Sequence, residues 1–225
     1  MSINSKEDDP IIIENFNPKN YFNDNDLKKI KDKKLKITNV GKYSITKPIH
    51  TSWIKSILIN FFKSKNISTK SLNIIDCTAG IGGDTISFSK YFNLVLAIEK
   101  NKTHFDILKN NVEVLELENV ILENNDFVKK VNKVKTNKKY DLLFIDPPWG
   151  GPNYKNLKNV ELFIHDEEEN KILLKDIINS YYDDFNYIIL KSPKNLNLVK
   201  EDYLFKNIHT TLDKDNKILL IIFEK

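Results

Sequence analysis

The run Asp76-Cys77-Thr78-Ala79-Gly80-Ile81-Gly82-Gly83-Asp84-Thr85 decides how this chain is read. It follows an apolar segment, Leu72-Asn73-Ile74-Ile75, and leads into a helical pattern, so it reads as strand, glycine turn and helix start. The chain has six glycines, and five of them fall here or in Asp146-Pro147-Pro148-Trp149-Gly150-Gly151-Pro152. That second stretch follows another apolar run, Tyr140-Asp141-Leu142-Leu143-Phe144-Ile145. A chain so sparing with glycine keeps it where the backbone needs positive φ or must approach a ligand closely. Both stretches therefore read as loops at the carboxyl ends of strands, where open α/β sheets bind ligands. The expectation is that the first holds a nucleoside cofactor and the second a base whose amino group is modified.

Outward from these loops, strand and helix patterns alternate. Strands are expected at 72–78, 94–99, 120–123, 141–146 and 187–191, with helices at 84–91, 103–117, from Asp126, and at 167–181. Such alternation implies a parallel sheet with crossover helices. A short helical piece near 198–204 precedes runs at 207–212 and 217–223. The turn between those runs, 213–216, is too short for a crossover, so they must pair antiparallel. The expected fold is α/β: a seven-stranded, doubly wound, Rossmann-like sheet with an antiparallel C-terminal hairpin, over residues 41–225. Residues 1–40 form a short N-terminal extension, with a mobile tail over 1–15 and a short helix from Asp24 to Lys33. Gly41–Thr46 reads as a turn and an extended piece. A helix then runs from Pro48 to about Phe62, with Ile49, Trp53, Ile57 and Phe61 on its apolar side.

Composition sets limits. At 225 residues, one domain is expected, and a monomer is favoured. No apolar run reaches the roughly 18 residues of a membrane span. One cysteine, Cys77, excludes internal disulfides and fits a reducing compartment, cytoplasm or nucleus. Four scattered histidines give no zinc spacing, so no structural metal is expected. All 35 basic residues are lysine, which with abundant Asn and Ile suggests an AT-rich source genome. Phosphates must then be met by lysine ammonium groups, backbone N–H or neutral side chains rather than guanidinium forks. The net charge of +4 permits a nucleic-acid ligand without demanding one.

At the first site, Ala79, Gly80 and Gly82 let the backbone approach a ligand, and the following helix, with Thr85 in its first turn, presents free N–H groups. The turn is neither a Walker loop nor a full G-x-G-x-x-G. Glu99 ends the next strand, 23 positions after Asp76, where an acid can grip a ribose diol. Asp126, before Phe127, can accept from an adenine amino group. Taken singly, Glu99 or Asp126 is equally a cap or surface acid. At the second site, two prolines after a strand fix the backbone and aim carbonyls into the cleft. A base amine is a poor nucleophile, since its lone pair is delocalised into the ring. The Asp146 carboxylate and Pro147 carbonyl can accept its protons and localise that lone pair, while Trp149 stacks on the base. Asp146 is otherwise a strand-end cap or the partner of a lysine. Tyr154 either packs the loop or touches ligand.

On these residues the chain resembles class I S-adenosylmethionine-dependent methyltransferases. Pro147-Pro148-Trp149-Gly150-Gly151-Pro152-Asn153-Tyr154 resembles, more narrowly, the trimethylguanosine synthase family, which methylates N2 of the 7-methylguanosine RNA cap. Tyr43-Ser44-Ile45-Thr46, Asn110-Asn111-Val112-Glu113-Val114 and Asp126-Phe127 match as well, over roughly Gly41 to Asn195. The resemblance implies S-adenosyl-L-methionine as cofactor, lined by Thr46, Asp76, Glu99, Asp126 and Phe127. It implies Trp149 stacked on the methylated guanine, a cation that indole binds well. Lys194, in Ser192-Pro193-Lys194-Asn195, is implied to meet cap phosphates, and capped RNA or a cap nucleotide is the implied partner. The family usually has Ser where Asp146 stands, and Lys47 intervenes before Pro48. Two alternatives stay open: an N-methyltransferase acting on adenine N6 or guanine N2 within rRNA, tRNA or DNA, and an inactive cap-binding or scaffold subunit.

Overall fold

The computed structural model describes residues 10–30, 34–134, 139–166, 168 and 170–225. In chain order its elements are β1 (Ile12–Ile13), α1 (Asp24–Leu27), β2 (Ile37–Thr38), α2 (Gly41–Ser44), α3 (Pro48–Ser64), β3 (Asn73–Asp76), α4 (Gly83–Phe88), β4 (Leu94–Glu99), α5 (Lys102–Val114) and β5 (Val120–Asn124). There follow α6 (Phe127–Val134), β6 (Leu142–Ile145), β7 (Phe163–His165), β8 (Lys171–Leu173), α7 (Leu174–Ser180), β9 (Tyr187–Pro193), β10 (Asn207–Leu212) and β11 (Ile218–Glu224).

Seven strands form one sheet in the order β10-β11-β9-β6-β3-β4-β5. β3 to β6 and β9 run parallel, while β11 is antiparallel to both β9 and β10. This is the doubly wound sheet with a terminal hairpin that the alternation implied. The strands alternate their side chains between two cores, as a strand period of two requires. Ile74, Leu142, Phe144 and Ile189 pack under Ile54, Leu58 and Phe62 of α3 and Phe88 of α4. Ile75, Leu143, Ile145 and Leu190 pack under Val131 of α6 and Ile177 and Ile178 of α7. Each such side chain, fully buried, contributes about 1.5–3 kcal/mol. Winding reverses between β3 and β6, so Asp76 pairs in register with Phe144, two residues before Asp146. The two glycine-bearing loops thus leave adjacent strands at the switch point, where ligands bind.

Several local expectations are corrected. The helix expected over 167–181 begins only at Leu174. Phe163–His165 and Lys171–Leu173 instead form a β-hairpin. Asp166 drives this turn by accepting from the Glu168 and Asn170 amides, and the Lys171 ammonium lies over the Phe163 ring. Gly41–Ser44 is a helical turn rather than extended. The helix from Asp24 stops at Leu27, and residues 31–33 of that expectation lie outside the described residues. The piece near 198–204 is a single 3-10 turn, Lys200–Asp202. The expected tail is ordered from residue 10 onward, with Ile12 and Ile13 paired antiparallel to Thr38 and Ile37. Residues 1–9 lie outside the described residues. Helix α3 buries Thr51, Ile54, Leu58 and Phe62, so its apolar side is rotated from the expected one and Ile49 is exposed. Among the described residues no helix is long and apolar enough to cross a membrane.

Candidate active site

β3 ends at Asp76, whose side chain is buried. Thr85 Oγ1, from the first turn of α4, donates to Asp76 Oδ2 at 2.6 Å. Asp76 Oδ1 is buried with no hydrogen-bond partner among the described residues. Burial, reinforced by the nearby Asp84 carboxylate, pushes Asp76 up to about 8. The loop turns at Gly80 and Gly82, with φ of 54° and 104°, a region costly for any residue with a Cβ. A Cβ at Gly80 would meet nothing within 4 Å, so the backbone there borders open space. A Cβ at Gly83 would collide with Ile45 and the Thr46 backbone, which places Thr46 against the start of α4.

Glu99, at the end of β4, clamps this loop. Its Oε2 accepts from the Gly80 amide at 2.8 Å and its Oε1 from the Asn101 amide at 2.7 Å. Burial raises its carboxyl, and the two backbone donors pull it back. Ala79 is buried and donates through its N–H to the Ile98 carbonyl. Asp126 is buried at the head of α6, where Oδ1 accepts from the Val128 amide at 2.8 Å, as a capping acid does. Phe127 is buried in the core with Ile98 and Leu143.

The second loop starts with the Asp146 amide donating to Thr78 Oγ1 at 2.8 Å, which joins it to the first. Lys191, from β9, donates to Asp146 Oδ2 and, at 2.8 Å, to Thr46 Oγ1. Thr46 in turn donates to Asp84 Oδ2. The Lys191 side chain is only 6% exposed, which decides that its charge is answered by these groups and not by water. Burial opposes that charge, but Asp146 and Asp84 outweigh it, and the ammonium pKa lies above its ordinary value. Burial raises Asp146, against the attraction of Lys191 and the facing Trp149 indole N–H, which lies buried outside good hydrogen-bond geometry. Burial also lifts Asp84, to about 6.

Trp149 is half-buried. Its ring meets Tyr154 edge-on, with centroids 5.2 Å apart, and the Lys191 Nζ lies 5.4 Å from its centroid. Asn195 ties the loop to the end of β9 by donating to the Tyr154 and Leu157 carbonyls. Pro147 is buried beneath the loop, and Lys194 is exposed at the turn after β9. The structure thus gathers Thr46, Asp76, Thr85, Asp146 and Trp149 around the switch point. Lys191, Asp84 and Thr78 were missed in the sequence. One signal was available for Lys191: a charged residue closing the apolar run Tyr187-Ile188-Ile189-Leu190.

A family model described as RNA cap guanine-N2 methyltransferase matches residues 71–223. The chain belongs to that family. An uncharacterised protein of Acanthamoeba polyphaga mimivirus is 32% identical over 72% of this chain and 62% of its own length. The trimethylguanosine synthase of Saccharomyces cerevisiae is 34% identical over 45% of this chain and 32% of its own. The chain therefore spans between about a third and three-fifths of these curated relatives. The ribosomal RNA small subunit methyltransferase D of Buchnera aphidicola is 31% identical over 76% of this chain and 83% of its own. Among solved structures, an S-adenosylmethionine-dependent methyltransferase of Agrobacterium tumefaciens aligns with a TM-score of 0.51 at 11% identity, covering 78% of this chain and 61% of that one, a likeness of fold alone.

S-adenosylmethionine is the cofactor of this family and fold. The residues present fit it. The Asp76 and Asp84 oxygens that lack a partner among the described residues suit a ligand carrying ammonium and sulfonium charges, and the open side of Gly80 beside Glu99 suits a ribose. Among the described residues no group of three His, Cys, Asp or Glu could hold a metal ion.

Proposed function

We propose that this family member transfers a methyl group to the exocyclic N2 of a 7-methylguanosine RNA cap. The observation that carries this reading is the Trp149 indole, braced edge-on by Tyr154 and standing beside the Asp146 carboxylate at the switch point. Bound there, the cofactor would supply an electrophilic methyl group to the amine lone pair, its sulfur keeping the C–S electrons. Asp76, Thr85 and Glu99 hold the cofactor side, with Asp126 and Phe127 at the far strand end. Trp149 stacks on the purine and fixes its angle. Asp146 and the Pro147 carbonyl accept from the amine and stabilise the charge that develops on nitrogen. A cationic 7-methylguanine gains on the indole face what neutral guanine does not, about 0.5–2 kcal/mol. Lys194, exposed near the loop, meets the phosphates.

The second reading is methylation of an amine within ribosomal RNA. It is favoured by the similarity to the Buchnera enzyme, which covers more of both chains than the yeast match does. Incubation with labelled cofactor and 7-methyl-GDP, GDP or unmodified ribosomal RNA, read by mass spectrometry, separates the two. The cap reading expects product from 7-methyl-GDP and none from GDP. Equal transfer to GDP, or transfer to ribosomal RNA alone, overturns it.

A further inference from the structure

We propose that Lys191 is the positioning residue of the acceptor site, fixing the Asp146 carboxylate toward the base amine and tying it to the cofactor side through Thr46. The inference deepens the methyl-transfer reading and rests on it. Its basis is a chain of contacts across three elements: Lys191 on β9 to Asp146 after β6, Lys191 to Thr46 before α3, and Thr46 to Asp84 on α4. One ammonium, almost wholly removed from water, thus spans both halves of the site.

The chemistry follows from which oxygen is taken. Lys191 holds Oδ2, and the Asp146 amide is pinned to Thr78, so neither the carboxylate plane nor its backbone is free to swing. Among the described residues Oδ1 makes no hydrogen bond of good geometry, the Trp149 N–H only facing the carboxylate, so Oδ1 is left for the substrate. As the C–N bond forms, nitrogen becomes cationic. One N–H proton passes to Oδ1, the N–H electron pair returns to nitrogen, and the carboxylic acid later gives the proton to water. The step requires an ionised Asp146. Burial opposes ionisation, and Lys191 is the cation that favours it. The other charges facing this pair are Asp84 from α4 and Asp76 from β3, both carboxylates that favour the lysine charge and disfavour that of Asp146. His50 on α3 and Tyr154 on the acceptor loop also face Lys191: burial lowers the His50 pKa and raises that of Tyr154, and the lysine charge acts downward on both.

The test is a double-mutant cycle: wild type, Lys191→Met, Asp146→Ala and the double variant, in single-turnover methyl transfer from pH 6 to 9.5, with cofactor affinity measured on each preparation. Lys191→Met is expected to slow transfer about 100-fold at pH 7 while cofactor affinity stays within about fivefold. Its acidic limb moves to higher pH by about one unit or more, since the opposing charge is gone. The double variant is expected to be no slower than Asp146→Ala alone. Multiplying effects, or an unmoved pH limb, overturn the proposal. If Lys191→Met does not fold, as judged by circular dichroism, Lys191→Gln takes its place in the cycle with the same expectations. If wild type ignores 7-methyl-GDP but methylates ribosomal RNA, the cap reading falls, and the cycle is run on that RNA and judged by the same outcomes.

Discussion

The Gly80 amide donates to Oε2 of Glu99 across 2.8 Å, so the turn after β3 and the end of β4 are held as one piece. Sequence spacing suggested Glu99 as a ribose-binding acid. The structure adds that the same carboxylate shapes the glycine turn.

Glu99→Ala should therefore damage two things together. Two backbone donors lose their acceptor, costing about 1–3 kcal/mol of stability, and the ribose loses its carboxylate, weakening cofactor binding about tenfold or more. Glu99→Gln keeps an acceptor for only one of the two amides and should fall between. Calorimetric titration with the cofactor and urea unfolding measure both effects. An unchanged affinity in Glu99→Ala would remove the residue from the cofactor site.

Asp76 makes the protein sensitive to pH in a definite direction. Its carboxyl is raised from 3.8 to about 8, first by burial and then by Asp84. Between those values the folded chain binds more protons than the unfolded one, so stability is full below pH 3.8 and is lost as pH rises toward 8. Asp76→Asn should flatten the fall in melting temperature from pH 5 to 8. A cationic ligand beside Asp76 draws it into its charged form, so cofactor binding at about pH 7.5, just below that pKa, should release protons. The measured binding enthalpy should then depend on the ionisation enthalpy of the buffer, and this dependence should shrink in Asp76→Asn. Equal enthalpies in phosphate and Tris for wild type would contradict the argument.

A third expectation concerns how the N-terminal segment is joined to the cofactor loop. Asn111 on α5 is fully buried. It accepts from the Lys36 amide at 2.8 Å and donates to the carbonyls of Lys36 and Ile81, each at 3.0 Å. Tyr21, Phe22, Leu35 and Ile37 share a core with Ile45, Ile81 and Ile86, so residues before Gly41 pack against the glycine turn itself. Asn111→Ala removes the partner of three backbone groups, of which the Ile81 carbonyl is buried, and should cost about 1–3 kcal/mol, with weaker cofactor binding. A loss confined to stability would mean that the clamp serves the fold and not the loop.

The sheet was legible because its strands are apolar runs of the right length and its crossovers carry helical periodicity, so Ile74, Leu142 and Ile189 announced themselves without knowledge of their neighbours. The glycine turns were legible because the chain spends so little glycine elsewhere. What could not be read is non-local. The hairpin around Asp166 has acids and apolar residues at spacings that serve a helix equally well, and only Asp166 capturing its neighbours' amides settles it. The pairing of Ile12 and Ile13 with residues 37 and 38 joins two short segments, each too brief to carry a pattern. Lys191 meets Asp146 across 45 positions because β9 lies beside β6, a neighbour relation fixed by topology and invisible in spacing.

The last prediction tests the aromatic plate. The chain has two tryptophans, and Trp53 packs against the α3 side of the sheet, far in chain and core from the acceptor loop. A Trp53→Phe variant therefore reports on Trp149 alone. Ring charge, rather than shape, distinguishes 7-methylguanine from guanine on an indole face, and the gain is about 0.5–2 kcal/mol. Quenching of Trp149 emission by 7-methyl-GDP should thus saturate at concentrations several-fold to about 30-fold below those needed for GDP. Tyr154 braces the indole edge-on, so Tyr154→Ala should weaken 7-methyl-GDP binding by about 0.5–1.5 kcal/mol through a less ordered ring, with cofactor affinity unaffected. Trp149→Ala should abolish the discrimination between the two nucleotides. Equal quenching by GDP and 7-methyl-GDP would mean that the indole does not read the charge of the base, and loss of cofactor binding in Trp149→Ala would mean that the two loops do not divide the ligands between them.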